Sequence, residues 1–268
     1  GDAAILNPIL SADSASSTIN NLIFEGLIDR DRDLSFRGRL ATRWELFEEA
    51  YLLADPALSL SGGEDATAEA IAKRIEAART AGGPKWAGNV RKVEVLPPGT
   101  ETRTVRTPPA KRGGKPGRAE LKISRPARVK ITLRKVDQEF FDKLAGVLGK
   151  EYLKGLKPEK FIEGPEAAVR RNARSVLPPA EHNPVIIFHL RKGVFFQDGH
   201  EFDAGDVKFT YESIMDPRNL SPRIPDYEPV KSVEVLDRRT VRIVYKRLYS
   251  LAFGTWGMGM RPEHLLNR

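Results

Sequence analysis

The chain has 268 residues, with 44 lysines and arginines against 36 aspartates and glutamates, and 40% of its residues are hydrophobic. This length can bury one sizeable core or two small ones, and the composition is typical of a globular protein. The absence of cysteine excludes disulfides, thiolate zinc sites and a lipid-anchored cysteine within these residues, and no run of about 18 apolar residues could span a membrane.

In the middle of the chain, a helix candidate at 67–80 precedes short strands at 93–96 and 128–135. Further on, a helix candidate at 203–215 precedes strands at 230–237 and 240–245. Val93-Glu-Val-Leu96 recurs as Val233-Glu-Val-Leu236. This self-similarity indicates either a degenerate repeat of a helix–strand–strand–helix unit or a chance likeness between short strands.

Before the second strand pair, the sequence predicts a strand, a turn and a helix. Phe188 and Leu190 alternate with Ile187, His189 and Arg191 at the period of a half-buried strand. Asp198-Gly199 is typical of a turn, because glycine tolerates a positive φ. Asp203 is positioned to cap a helix from Ala204 onward, and Asp216-Pro217 ends that helix.

A basic segment at 102–135 contains twelve lysines and arginines and one acidic residue, Glu120. One interpretation is a patch that binds an anionic surface or partner through Lys111, Arg112, Lys115 and Arg118. The other is a solvated hairpin whose charges protect an edge strand from aggregation. Nucleic acid is not the expected partner, because no aromatic residue interleaves the segment for base stacking.

The sequence contains no recognisable catalytic or metal-binding pattern. The four histidines have no metal-ligand spacing, and Asp29–Asp33 lacks the glycine and the final acidic residue of a calcium loop. The sequence contains no nucleophile elbow, phosphate loop or dinucleotide fingerprint. Glycine-rich Gly254–Met260 matches none of these motifs, so Trp256 and Met258 are expected in a core or cleft wall. We expect neither an enzyme nor a cofactor.

Several sequence segments resemble segments of the family 5 extracellular solute-binding proteins and occur in the same order. These proteins capture peptides and similar cargo for ABC importers. The segments are Leu6-Asn7-Pro8, Asn20–Asp29, Leu40–Glu45, Ile187–Pro217 and the strand pair at 230–245. Gly26 falls where a helix C-cap glycine is expected. Residues between Glu49 and Pro184 have no place in the family's usual pattern.

This resemblance implies an α/β fold, namely a partial lobe of the periplasmic-binding-protein type II kind with a mixed β-sheet and flanking helices. Residues 1–48 and 185–268 would form that lobe. Residues 49–184 would form an inserted α+β module with a basic Pro/Gly-rich loop at about 102–118. Family members are commonly longer and have a second lobe, so the chain is expected to be a truncated part of the first.

The resemblance also implies a function, the substrate-binding component of an ABC importer that delivers peptides or small solutes to permease subunits. The family's ligand-binding loop corresponds to Ser11, Ala12, Asp13 and Ser14, and a second contact position corresponds to Arg223. An arginine there would favour a carboxylate-bearing ligand, although it could also be a surface residue in a loop. The expected location is the periplasm or the extracellular face of the membrane. Membrane association would come only through the transporter or a removed anchor, since the chain holds no signal sequence.

Overall fold

The computed structural model describes residues 3, 5–11, 13–80, 82–108, 116–247 and 252–267. Within these residues the strands are β1 (Ile28–Arg30), β2 (Phe36–Gly38), β3 (Ala41–Leu53), β4 (Asp55–Ser59), β5 (Asp65–Ala66), β6 (Val90–Leu96), β7 (Gly99–Thr107), β8 (Gly117–Arg125), β9 (Arg128–Leu133), β10 (Ile162–Glu163), β11 (Ala180–Leu190), β12 (Val230–Asp237) and β13 (Thr240–Tyr245). The α-helices are α1 (Ser14–Ile23), α2 (Ala68–Thr80), α3 (Phe140–Leu148), α4 (Lys150–Gly155), α5 (Glu166–Val176), α6 (Ala204–Met215), α7 (Ile224–Tyr227) and α8 (Glu263–Leu266). Short 3₁₀ helices lie at Lys85–Asn89, Pro158–Phe161, Pro217–Asn219 and Gly254–Gly257.

The backbone contacts divide the chain into two compact units. The first unit comprises residues 1–47 and 183–268, and the second comprises residues 48–182. Each combines helices with a sheet and has a hydrophobic core of its own. That the second unit is an insertion into a solute-binding lobe stays a prediction. Among the described residues, no helix combines the length and the apolar character needed to cross a membrane.

In the first unit, β13 lies between β11 and β12 and pairs with both in antiparallel register. Phe188 and Leu190 of β11 are buried, which confirms the predicted alternation. Helix α6 packs on β12 and β13. The Asp203 side chain accepts a hydrogen bond from Gly205 N at 2.7 Å, and Asp206 Oδ2 accepts one from Asp203 N at 2.9 Å. This capping box begins the helix where the sequence predicted it.

Gly26 does not cap helix α1, so that prediction is wrong. The helix ends at Ile23, its C-cap is Phe24 in an extended conformation, and Gly26 has no positive φ. Glycine is required at this position for a different reason. A Cβ on Gly26 would lie 2.4 Å from the carbonyl carbon of Gly257. The two backbone segments therefore approach more closely than a side chain would allow.

In the second unit, β9 pairs with β3 and β6, and β8 pairs with β7 and β10. The core includes Leu52, Ile131 and Phe140, with helices α2, α3, α4 and α5 contributing buried side chains. The described registers of both units are antiparallel. The α/β architecture with a central sheet and flanking helices agrees with the predicted fold class.

The two units contain the same helix–strand–strand arrangement. Helix α2 precedes β6 and β9 in the second unit, as α6 precedes β12 and β13 in the first. The registers correspond pair by pair, and an irregularity follows the first pair in both. The pairs are Val90–Leu133, Lys92–Thr132, Val93–Ile131 and Val95–Val129 in the second unit, and Val230–Tyr245, Ser232–Val244, Val233–Ile243 and Val235–Val241 in the first.

The turn before each helix is also shared. Gly63 N donates to Leu60 O at 3.0 Å, and Gly199 N donates to Phe196 O at 2.9 Å. The two glycines have φ values of 85° and 86°. Because the turn, the helix and the strand register all correspond, the structure supports the internal repeat rather than a chance likeness. The two units differ in the connection between the paired strands. Arg238 and Arg239 join β12 to β13 in the first unit, whereas the β7–β8 hairpin lies between β6 and β9 in the second.

Candidate functional site

A pocket of about 210 Å³ lies in the first unit. Three parts of the chain line it. One is the turn before α1 together with that helix, a second is the segment around Arg223, and the third is glycine-rich Gly254–Gly259. The pocket includes two of the residues predicted to contact ligand, Ser11 and Arg223.

Ser11 is held by the turn that follows Asn7. Its backbone nitrogen donates to Asn7 O at 2.9 Å, and its Oγ accepts a hydrogen bond from Asn20 Nδ2 at 3.0 Å. Ser11 is 2% exposed and Asn20 is 3% exposed. Helix α1 thus presents buried polar groups on its inner face, where an ordinary amphipathic helix presents apolar ones.

Arg223 is distant from Ser11 in the sequence but contacts the same turn. Ser221 Oγ donates to Ile9 O at 2.5 Å and accepts a hydrogen bond from Arg223 N at 3.2 Å. The guanidinium Nη2 of Arg223 then donates to Ser11 O at 3.4 Å. These bonds fix both the loop and the side chain beside the Ser11 turn.

Two buried polar atoms of the pocket residues have no hydrogen-bond partner among the described residues. They are the acceptor Asn20 Oδ1 and the donor Arg223 Nε. A buried polar group without a partner costs about 1–3 kcal/mol. A ligand that offers a donor to Asn20 and an acceptor to Arg223 would remove that cost.

The remaining residues of the predicted ligand loop have different surroundings. Asp13 is the N-cap of α1, and its Oδ1 accepts a hydrogen bond from Ser16 N at 2.7 Å. Hydrogen bonds with Ser16 lower the pKa of Asp13 below its usual value. Ser14 is exposed at the first turn, and neither residue is part of the pocket wall. Ala12 lies outside the described residues. Ligand contact by these three residues stays a prediction.

Tyr227 of the pocket wall is held by a hydrogen bond and by aromatic packing. Tyr227 OH donates to Thr255 O at 2.7 Å, and its ring meets the buried Trp256 edge to face at 5.4 Å. Trp256 Nε1 donates in turn to Tyr245 OH at 2.7 Å. Burial raises the pKa of Tyr227, so its hydroxyl stays neutral. Trp256 lies in the core and Met258 lines the pocket, as the sequence indicated.

Sequence reasoning missed Asn20 and Tyr227. For Asn20 a signal existed, because Ser16 and Asn20 are one helical turn apart and are the buried residues of α1. Polar residues at that spacing on the inner face of a helix indicate a hydrogen-bonding site. Tyr227 carried no such signal, since an aromatic residue near a helix end is more often part of a core.

The histidines do not form a metal site. His264 Nε2 lies 2.6 Å from Asp198 Oδ2, and the His264 ring stacks on His200 with centroids 3.9 Å apart. Within the part of the chain that the structure describes, no group of three or more histidine, cysteine or acidic residues could hold a metal ion.

Only Arg118 of the predicted anionic-partner patch is described, and it is exposed on β8. Lys111, Arg112 and Lys115 lie outside the described residues. Some of the other basic residues of the 102–135 segment are ion-paired, since Arg103 and Arg125 both contact Glu101 and Lys130 contacts Glu49. The patch as predicted therefore stays untested.

Comparison with known proteins places one segment in a family. Residues 179–259 match the model described as bacterial extracellular solute-binding proteins, family 5 middle. The glutathione-binding protein GsiB of Salmonella paratyphi A is 41% identical over 61 residues, which are 23% of this chain and 12% of that protein. GsiB of Escherichia coli K12 is 38% identical over a segment of the same length and share of each chain.

Two solved structures align along the whole chain at low similarity. The oligopeptide-binding protein AppA of Bacillus subtilis, in complex with a nonapeptide, has 16% identity and a TM-score of 0.46 over 100% of this chain and 27% of its own. NikZ of Campylobacter jejuni, in complex with Ni(L-His), has 17% identity and a TM-score of 0.45 over the same shares.

Proposed function

The chain carries a family 5 extracellular solute-binding segment, as its sequence predicted, and from this premise we propose that it belongs to the substrate-binding component of an ABC importer. The component would capture a peptide or similar small solute by cleft closure and deliver it to permease subunits. Its role is binding rather than catalysis. Its place would be the periplasm or the extracellular face of the cell membrane.

The observation that carries the proposal is the pair of unpartnered atoms at the pocket, Arg223 Nε and Asn20 Oδ1. A guanidinium donor fits a carboxylate, and charge-assisted hydrogen bonds of this kind are about twice as strong as neutral ones. The neighbouring amide oxygen accepts from an N–H group. A peptide supplies both groups, and the names of two similar proteins refer to glutathione and to oligopeptide binding.

The size of the pocket limits what it holds. Its volume of about 210 Å³ is below the range of roughly 300–1,000 Å³ that encloses a drug-sized ligand. The pocket therefore fits a single carboxylate-bearing portion of a ligand. The aligned segment represents 12% of its curated relatives' length. The rest of the ligand would lie outside this pocket.

The test is the affinity of the natural protein for acidic and neutral peptides of equal length, measured by calorimetry. Arg223→Ala should weaken binding of acidic peptides by about tenfold or more, because a hydrogen bond to a charged group is worth about 1.5–3 kcal/mol. Binding of neutral peptides should change by less than about threefold.

Arg218→Ala is the matched control. Arg218 lies in the same loop, is 89% exposed and pairs with Asp216 outside the pocket wall. Its removal should leave both affinities unchanged. Equal losses for acidic and neutral peptides on Arg223→Ala would show that the arginine does not recognise a carboxylate.

A further inference from the structure

A second concave surface lies in the second unit, between the β7–β8 hairpin and helix α5. It has a volume of about 700 Å³. Three arginines line it, Arg118 from β8 and Arg170 and Arg171 from α5, and the other lining residues include the small apolar residues Ala119 and Ala167. We call this surface the arginine groove.

The packing beneath the arginine groove fixes its walls. Ala168, Val169 and Ala173 of α5 are buried in the core of the second unit, as are Leu121 and Ile123 of β8. Arg170 and Arg171 directly follow the buried Val169 and are exposed. Helix α5 therefore presents Arg170 and Arg171 from a well-packed position.

The charges of the groove are uncompensated among the described residues. No acidic side chain lines the groove, and Arg118, Arg170 and Arg171 have no ion pair within the described ranges. Arg118 also lies directly opposite Arg106 in the β7–β8 register. Like charges in directly opposed positions destabilise a strand pair, so the pairing of the two strands does not explain the presence of Arg118 opposite Arg106.

The β7–β8 hairpin, which forms one side of the arginine groove, is not part of the arrangement that the two units share. The first unit joins β12 to β13 with Arg238 and Arg239, whereas the second joins β6 to β9 through residues 97–127. The shared helix–strand–strand arrangement forms in the first unit without such a hairpin. The unpaired Arg118 thus lies on an element that the repeated fold does not require.

We propose that the arginine groove binds the phosphate group of an anionic compound. Guanidinium groups match phosphate oxygens in bidentate geometry, and several of them around one concavity would share its charge. No aromatic residue lines the groove, so it offers nothing on which a nucleobase would stack. The phosphate belongs either to a lipid headgroup or to a free phosphate compound, and both sources present the same group.

The test compares two triple variants of the natural protein. Arg118→Gln with Arg170→Gln and Arg171→Gln removes the charges of the groove. The control, Lys73→Gln with Lys85→Gln and Arg91→Gln, removes the same number of charges from exposed positions of the same unit that have no ion pair among the described residues. Circular dichroism checks that both variants fold, and the single variant Arg170→Gln replaces the triple if it does not.

One arm measures co-sedimentation with phosphatidylcholine vesicles that contain phosphatidylglycerol, against vesicles of phosphatidylcholine alone. The other arm titrates inorganic phosphate and glycerol phosphate by calorimetry. Loss of the groove charges should weaken phosphate binding on the order of 100-fold, since each basic residue near an anionic surface contributes about fivefold. The control should bind like the unmodified protein.

The arms distinguish the sources. A groove-dependent loss with vesicles assigns a lipid headgroup, and a groove-dependent loss only in the titration assigns a free phosphate compound. Equal losses in the two triple variants would overturn the proposal, because they would show attraction to net charge alone. If the unmodified protein bound in neither arm, the proposal would also be overturned. The solvated hairpin would then be the remaining interpretation of the basic segment.

Discussion

Arg223 owes its position in the pocket to Ser221 rather than to its own contacts. Ser221 Oγ bonds to Ile9 O on one side and to Arg223 N on the other, so it joins the loop after α6 to the turn before α1. The Arg223 side chain makes one hydrogen bond to Ser11 O and keeps its Nε without a partner among the described residues. A positioned donor of this kind loses little conformational freedom when a ligand binds.

A pH dependence is expected at Asp198. The pKa of Asp198 lies below its usual value of 3.8. The hydrogen bond with His264 has the larger effect on this pKa, and the hydrogen bond from His200 N has a smaller one. A carboxyl with a lowered pKa in the folded state stabilises the fold above its unfolded pKa, and this contribution is lost as the pH falls through the folded pKa.

Asp198→Asn should therefore lower the free energy of unfolding near pH 7, and the difference from the unmodified protein should shrink at a pH well below 3.8, where the Asp198 carboxyl becomes protonated in the folded state too. Urea unfolding at both pH values measures it. His264→Gln should reduce the same pH-dependent difference. A deficit of Asp198→Asn that persists at low pH would mean that the side chain acts through packing and not through its charge.

The residues of the site were only partly predictable from sequence. Ser11 and Arg223 could be proposed from the family resemblance, which the match over 179–259 confirms for the part that includes Arg223. Asn20 was missed although its spacing from Ser16 was a signal, because that spacing does not show which side of α1 faces the pocket. Arg118 precedes Arg170 and Arg171 of the groove by 52 and 53 positions, and no local pattern joins it to them.

At the level of elements, the repeat gives two copies of one turn. Gly63 and Gly199 adopt nearly the same positive φ, and a Cβ at either position would meet no atom within 4 Å. A substitution by alanine would therefore strain the backbone without creating a clash. The cost of such a conformation for a residue with a side chain is about 1–2 kcal/mol.

Gly63→Ala and Gly199→Ala should each lower the free energy of unfolding by about 1–2 kcal/mol, and by similar amounts. Chemical denaturation measures both. Gly88→Ala is the control, because Gly88 also has open space but no positive φ, and its substitution should not destabilise. A harmless substitution at one of the two turn positions would contradict the equivalence of the two turns.

Strong local signals led to the elements that were predicted correctly. The capping residue Asp203, the stop at Asp216-Pro217 and the alternation in β11 each reflect a short-range rule, and the structure follows all three. Gly26 failed because its role is non-local. Its backbone packs against that of Gly257, which is far away in sequence, and a helix-end pattern cannot reveal such a contact.

For the whole molecule, the sequence indicated a division into two regions and a basic segment within one of them. The excess of basic residues is concentrated at 102–135, and Arg118, which belongs to both this segment and the groove, has no ion pair among the described residues. The sequence left two interpretations of the likeness between the units open, because matching side chains are few and short strands share composition by chance. The strand register favours the repeat.

The central claim is that the pocket of the first unit takes a carboxylate through Arg223. A crystal structure of the natural protein with a peptide that carries a free glutamate side chain would test it most directly. We predict a carboxylate oxygen within about 3.2 Å of Arg223 Nε and a ligand N–H group directed at Asn20 Oδ1. A bound peptide whose carboxylates all lie elsewhere, with Arg223 Nε still unpartnered, would contradict the account.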